Sequence, residues 1–368
     1  MTQRLSPDEL RQIFLADVRP YLDDLSYQVP GDPVSPPRFV SVGGQPGAGK
    51  GRVLEEAGAG LPGSVTVNGD ELRQFHPDYG RLMREDPLRM PEVTASASGP
   101  WVGMSNEYLR ERYISAVVET TLRQPDVLLR EFKAFRQAGY ETELRVVAVP
   151  LEVSRLGTVT RYLEQIKDAG AGRWTPGEHH DIAAAAVPGT VAALVISGLV
   201  DRVVIQDRDG RVFHDAWVSQ GDPQQARTSA DAVERARSVE SMNPQQAQRW
   251  LQHLEQALRD QVHLGEDDSD LMRVTSQLAT ADAAKVVARA HPGDREAQQM
   301  RLEQLSRENN ALNLSLLRAR VKRLQAGFPR PGYGASGRAL GRNTIQKTQG
   351  ISRKQGRASS RNGGPELS

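Results

Sequence analysis

The chain has 368 residues, a formal net charge of +1, 38% hydrophobic residues and no cysteine. That length allows two domains around real but modest cores, and the missing thiols exclude disulfides, thiolate metal sites and cysteine nucleophiles. Charge is unevenly spread: residues 331 to 368 hold seven Lys or Arg against one acid, Glu366, so the remainder is acidic overall and any nucleic-acid role belongs to the tail.

The amino terminus lacks a long apolar run behind a basic start, and no segment reads as long enough to cross a bilayer, so a cytoplasmic protein without a membrane partner is expected. Ser6, Pro7 and Glu9 form a helix start, with Leu10, Ile13, Phe14 and Val18 on one face. The proline-rich stretch 29 to 37 ends that helix. A first strand is expected at 38 to 43, with further strands near 64 to 67, 113 to 118, 144 to 149 and 203 to 206. Short apolar strands alternating with helices predict an α/β fold, a parallel sheet flanked by helices. The clearest crossover helices are "GDELRQF" and "DVLLREFKAFRQAG", the second closing at Gly139.

After His214 the strand signal disappears. Residues 219 to 328 read as a helical extension, in which Asn243 and Pro244 open a helix carrying Trp250, Leu251, Leu254 and Leu258 on one stripe. Leu302, Leu305, Asn309, Leu312, Leu316 and Ala319 then follow three- and four-residue steps. They form either a coiled-coil seam over 300 to 325 or a helix packed on its own neighbours. Residues 329 to 368 are too polar to order themselves; they make a solvated basic tail or a polyanion-binding arm.

The chemistry concentrates in the first two hundred residues. "VSVGGQPGAGKG" is a strand, a glycine-rich turn and a helix start. Its backbone N–H groups and helix dipole aim at one spot, which makes Gly44, Gln45, Pro46, Gly47, Ala48, Gly49, Lys50 and Gly51 a phosphate cradle, with Lys50 as the movable charge. Gly51 stands where such loops carry the Ser or Thr that ligates magnesium. Asp70, at the end of the next strand, is either a general base or a helix N-cap. Glu119, Thr120 and Thr121 end another strand and suit a sugar or a magnesium-bound water, or are mere strand-end polarity. Arg161 and Arg173 are either a phosphate clamp or a solvated face. Adjacent His179 and His180 do not share a helix face, so no protein metal site is expected.

Taken in order, "GGQPGAGK", "NGDELRQFHPDY", "VVETTLR", "GYETELRVVAVP", "LGTVTRY", "GRWTPGEHHD" and "VVIQDRDGRV" resemble the zeta toxin family over residues 1 to 218. The resemblance implies a P-loop kinase that uses ATP and Mg2+ to phosphorylate a sugar hydroxyl of UDP-N-acetylglucosamine and that is neutralised by a small helical antitoxin. It implies that Lys50 holds phosphate, that Asp70 is the base, that Glu119 and Thr121 sit at the sugar nucleotide and that Arg161 and Arg173 surround the ATP phosphates. It leaves Glu107 and Glu111 as alternatives for a further substrate-contacting glutamate. Gly51 departs from the pattern and favours a second reading, a nucleotide-binding pseudokinase acting through its helical extension.

Overall fold

The computed structural model describes residues 4–26, 34–86, 89–219 and 221–326. The expected basic tail and most of the proline-rich connector lie outside these residues. Helix α1 (Pro7–Ile13) starts with the Ser6–Glu9 capping box and runs through a π-helical stretch, Phe14–Val18, into α2 (Arg19–Ser26). Strand β1 (Arg38–Gly43), α3 (Lys50–Ala59) and β2 (Val65–Val67) follow. Next come α4 (Tyr79–Glu85), α5 (Met90–Glu111), β3 (Ala116–Thr120), α6 (Pro125–Gln137) and β4 (Glu141–Val147). Two long helices, α7 (Leu151–Ala169) and α8 (Gly177–Ile196), lead to β5 (Arg202–Gln206) and β6 (Val212–Trp217).

The sheet order is β2-β3-β1-β4-β5-β6, parallel except for β6. The α/β expectation therefore holds, with four differences of detail. Strand β3 begins three residues late because Tyr113 has φ 57°, a left-handed turn no strand can contain. Strand β4 begins at polar Glu141, whose partner is Arg38 at 2.8 Å, so cross-strand pairing recruits residues that an apolar pattern omits. Strand β6 was not expected: it is a half-exposed edge, held by Arg202 to Asp215 at 2.7 Å across the pair. "GDELRQF" forms a short 3-10 turn, Glu71–Phe75, and the crossover is made by α4 and the 22-residue α5, whose Ser- and Gly-rich sequence hides a helix anchored by fully buried Trp101.

Helix α8 corrects another expectation, since among the described residues it is long and apolar enough to span a bilayer. In this fold it packs Val187, Val191, Leu194 and Val195 into the core under the sheet.

After β6 the chain is helical. Helix α9 (Pro223–Arg237) places Ala226, Ala232, Val233 and Ala236 in the sheet's core. A second core begins near Val239 and joins α10 (Pro244–Leu264), α11 (Ser269–Gln277), α12 (Ala283–Ala290) and α13 (Arg295–Ala326) to one face of α7. Leu305, Asn309 and Leu316 of α13 are buried, and Leu302 and Leu312 pack on this same core, so the seam meets helices of its own chain.

Candidate active site

Helix α7 carries two faces with different duties. Leu156, Val159 and Leu163 enter the second core. Ser154, Gly157, Thr158 and Arg161, spaced as one helical stripe, face the other way.

The glycine-rich turn between β1 and α3 lies against that stripe. Gly47 and Gly49 have φ of 75° and 88°, conformations that favour glycine. A Cβ on Gly47 would run into the Ser154 carbonyl, and one on Gly49 would sit 3.1 Å from Arg208 Cβ. Gln45 locks the turn by donating to the Val149 carbonyl at 2.8 Å. Lys50 folds back over it, donating to the carbonyls of Gly44 and Gln45 at 3.1 and 3.3 Å. Such a turn at a helix start presents N–H groups to an anion.

Strand β3 lies beside β1, and its register sets Glu119 opposite Val42. Its carboxylate comes to 3.4 Å from Lys50 Nζ. Burial pushes the Lys50 ammonium below its ordinary range, against the raising pull of Glu119. Asp70 does not use its side chain as a helix cap. Its Oδ1 instead accepts from Arg73 Nε at 3.0 Å and pairs with Arg173. Burial alone would raise the Asp70 carboxyl, but Arg173 and Arg73 outweigh it and hold the group far below the usual carboxylate range.

Arg161 donates to Thr175 at 2.9 Å, while its Nε is buried without a hydrogen-bond partner. Burial and neighbouring Arg173 push its pKa down to about 10. Among the described residues, Lys50, Arg73, Arg161 and Arg173 are thus set against the carboxylates of Asp70 and Glu119, a surplus of positive charge in one partly buried place. Like charges kept together away from water are stabilised by an anionic ligand, and polyphosphate is the matching chemistry.

Not every expected residue joins this group. Thr121 is exposed and faces a separate cavity of about 90 Å³ with Arg123 and Gln124. Glu107 and Glu111 line another cavity against Arg11 and Arg19. His179 is exposed, whereas buried His180 bridges Ser154 Oγ and Asp181 Oδ1, both at 2.8 Å, and so ties α8 to α7. Among the described residues no group of three His, Cys, Asp or Glu could hold a metal. Around Gly51 the space is open, with nothing within 4 Å of an added Cβ.

Sequence reasoning missed Arg73 and Arg208. Arg73 lies one turn beyond Asp70 and also donates to the Pro91 carbonyl at 2.7 Å, a partner reached only through the fold. Arg208 follows β5 and reaches the glycine turn because β5 and β1 flank the same β4; the only local signal was its place in "QDRDG".

Comparison with known proteins agrees with this architecture. The model of the zeta toxin family matches residues 27–218. The toxin PezT of Streptococcus pneumoniae is 30% identical over 182 residues, 49% of this chain and 72% of that toxin. Toxin zeta of Enterococcus hirae is 30% identical over 181 residues, 48% of this chain and 62% of that toxin. Among solved structures, one from the PezAT chromosomal toxin-antitoxin system of Streptococcus pneumoniae superposes with TM-score 0.56 at 23% identity, covering 70% of this chain and 99% of that one.

Proposed function

Since the chain belongs to the zeta toxin family, we propose that it is an ATP-dependent phosphotransferase acting on a sugar hydroxyl of a nucleotide sugar, UDP-N-acetylglucosamine, in the cytoplasm. The observation that carries this reading is the placing of Lys50, Arg73, Arg161 and Arg173 around Asp70 and Glu119 beside the glycine turn.

In this reading the amides of Gly44 to Gly51 and Lys50 bind the donor phosphates. Arg173 exchanges its Asp70 partner for the transferred phosphoryl group, where Arg161 joins it. Losing Arg173 raises the Asp70 pKa toward ordinary and makes it a better base. Asp70 then takes the proton of the acceptor hydroxyl as its oxygen forms the new P–O bond and the bond from the γ-phosphorus to the β–γ bridging oxygen of the donor breaks, leaving ADP. Magnesium would neutralise the donor's charge there. With no hydroxyl at residue 51, Glu119, beside Lys50, would hold it through water, and phosphate oxygens would supply the remaining ligands.

Incubation with ATP, magnesium and UDP-N-acetylglucosamine should give a phosphorylated sugar nucleotide by mass spectrometry, and Asp70→Asn should slow it about 10²- to 10⁴-fold. Absence of product, or equal product from the variant, defeats the reading. Family membership supports a small helical antitoxin as partner; expression of the chain without one should arrest bacterial growth, and Asp70→Asn should relieve the arrest.

Gly51 favours one competing reading, a nucleotide-binding protein with little turnover that works through its helices. Because the space at Gly51 is open, Gly51→Thr can be accommodated. A steep rise from near-zero turnover would support the binder, and substantial wild-type turnover that does not rise would remove it.

A further inference from the structure

A cavity of about 190 Å³ lies between the carboxyl ends of β4 and β5 and the helical extension, room for far more than the ~10–15 Å³ that one water needs. Its inner wall is the outer side of the phosphate cradle. Gly157 lines it and approaches Gly47 so closely that a Cβ on either would collide with the neighbouring backbone. Arg208 lines it too, packed against Gly49.

Arg208 is poorly satisfied. One Nη donates to the Val153 carbonyl at 3.3 Å, while Nε is buried with no partner, and burial depresses its pKa. A guanidinium held this way suits an acceptor arriving from outside.

The outer wall comes from beyond the family-matched residues. Met242 and Trp250 are 5% and 4% exposed and present apolar surface. Trp250 is fixed by donation to the Glu152 carbonyl at 3.0 Å, and Met242 by Arg289, which donates to its carbonyl at 2.6 Å. With its N–H engaged, the indole has only apolar surface to offer a ligand. Arg249, next to Trp250, and His253, one turn further along α10, are exposed and supply a polar rim. An apolar slot with a polar rim, reached past an unsatisfied arginine from a phosphate cradle, has the character of a nucleoside site.

We propose that the helical extension completes the donor site, with the base and ribose of the nucleoside triphosphate between Arg208 and the Met242–Trp250 wall. This rests on the nucleotide reading above and adds that residues outside the family domain bind substrate. Helix α10 is then part of the enzyme rather than an appendage, and Arg249 and His253 are specificity-determining residues for the nucleoside.

Calorimetry on the full chain with ATP and with inorganic tripolyphosphate separates the two claims, because tripolyphosphate reads the cradle alone. Wild type should bind ATP at least about tenfold more tightly than tripolyphosphate. The exposed pair Arg249→Ala and His253→Ala should weaken ATP about tenfold, the scale of one charge-assisted hydrogen bond, and leave tripolyphosphate unchanged. Photolysis with 8-azido-ATP should label the segment 242 to 253. Equal affinity for the two ligands, or a label confined to residues outside the extension, overturns the nucleoside pocket while leaving the cradle intact. Binding of neither overturns the nucleotide reading and the pocket with it.

Discussion

Two arginines on one helix show how differently the two sides of α7 are built. Arg161, on the cleft side, stands beside another arginine with a buried Nε unpartnered. Arg155, toward the extension, reaches both Asp282 oxygens at 3.1 and 3.2 Å and Asp181 at 3.1 Å. Around it the junction is closed by further pairs: Lys285 with Glu152 at 2.7 Å, Trp174 to Asp270 at 3.0 Å and Lys167 with Asp260 at 2.6 Å. The cleft keeps charge unsatisfied where a ligand would satisfy it; the junction satisfies charge so that the helix stays where the cleft needs it. Unsatisfied buried polar groups are destabilising, so an unpartnered guanidinium N–H kept beside a second arginine in a cleft is a sign of binding.

The largest contrast should come from these two side chains. Arg161→Met should lower phosphoryl transfer by about 10²- to 10³-fold while the melting temperature holds or rises, since a poorly paired buried cation is removed. A large loss of stability in that variant would mean that the two sides of α7 are built alike. Arg155→Met should do the reverse, costing about 3–5 kcal/mol by chemical denaturation because Asp282, 2% exposed, loses its cation. If the sheet and the extension unfolded separately in that variant, α7 would not be a strut shared by the two cores.

Acidification offers a gentler probe. His76, His180 and His214 all have pKa values lowered from 6.5, in each case mainly by burial. The unfolded chain therefore takes up protons first, so stability is complete above about 6.5 and falls as pH drops through that value. Asp70, depressed from 3.8, contributes stability that is present above that value and lost only at lower pH, so the two windows are separate. Melting temperature should fall between pH 7.5 and 5.5, and His180→Gln should flatten part of the slope. A flat profile would mean that these imidazoles are not held neutral by the fold.

The smallest effect belongs to Gly51. It lies in the first turn of α3 with open space around it, so Gly51→Ala should stabilise by about 0.5–1 kcal/mol through reduced backbone entropy. Destabilisation would show that the glycine is needed for close approach rather than tolerated.

The sequence by itself determined those features whose cause is local. The cradle was legible because a strand, three glycines in a turn, Lys50 and a helix start are contiguous; the Ser6 and Asn243 caps and the Trp250 stripe were legible for the same reason. Its residues also named Asp70, Glu119, Arg161 and Arg173, but with an ordinary structural alternative open for each. Only the tertiary structure brought Glu119 to Lys50, because that contact depends on β3 pairing beside β1, and only it set Arg173 on Asp70 and Arg208 on the glycine turn. Strand β6 and helix α5 escaped the pattern because each is stabilised by what it packs on rather than by its own propensity. Periodicity reports one element at a time, whereas burial, charge pairing and the closing of a cavity are properties of several elements meeting, and no spacing along the chain encodes them.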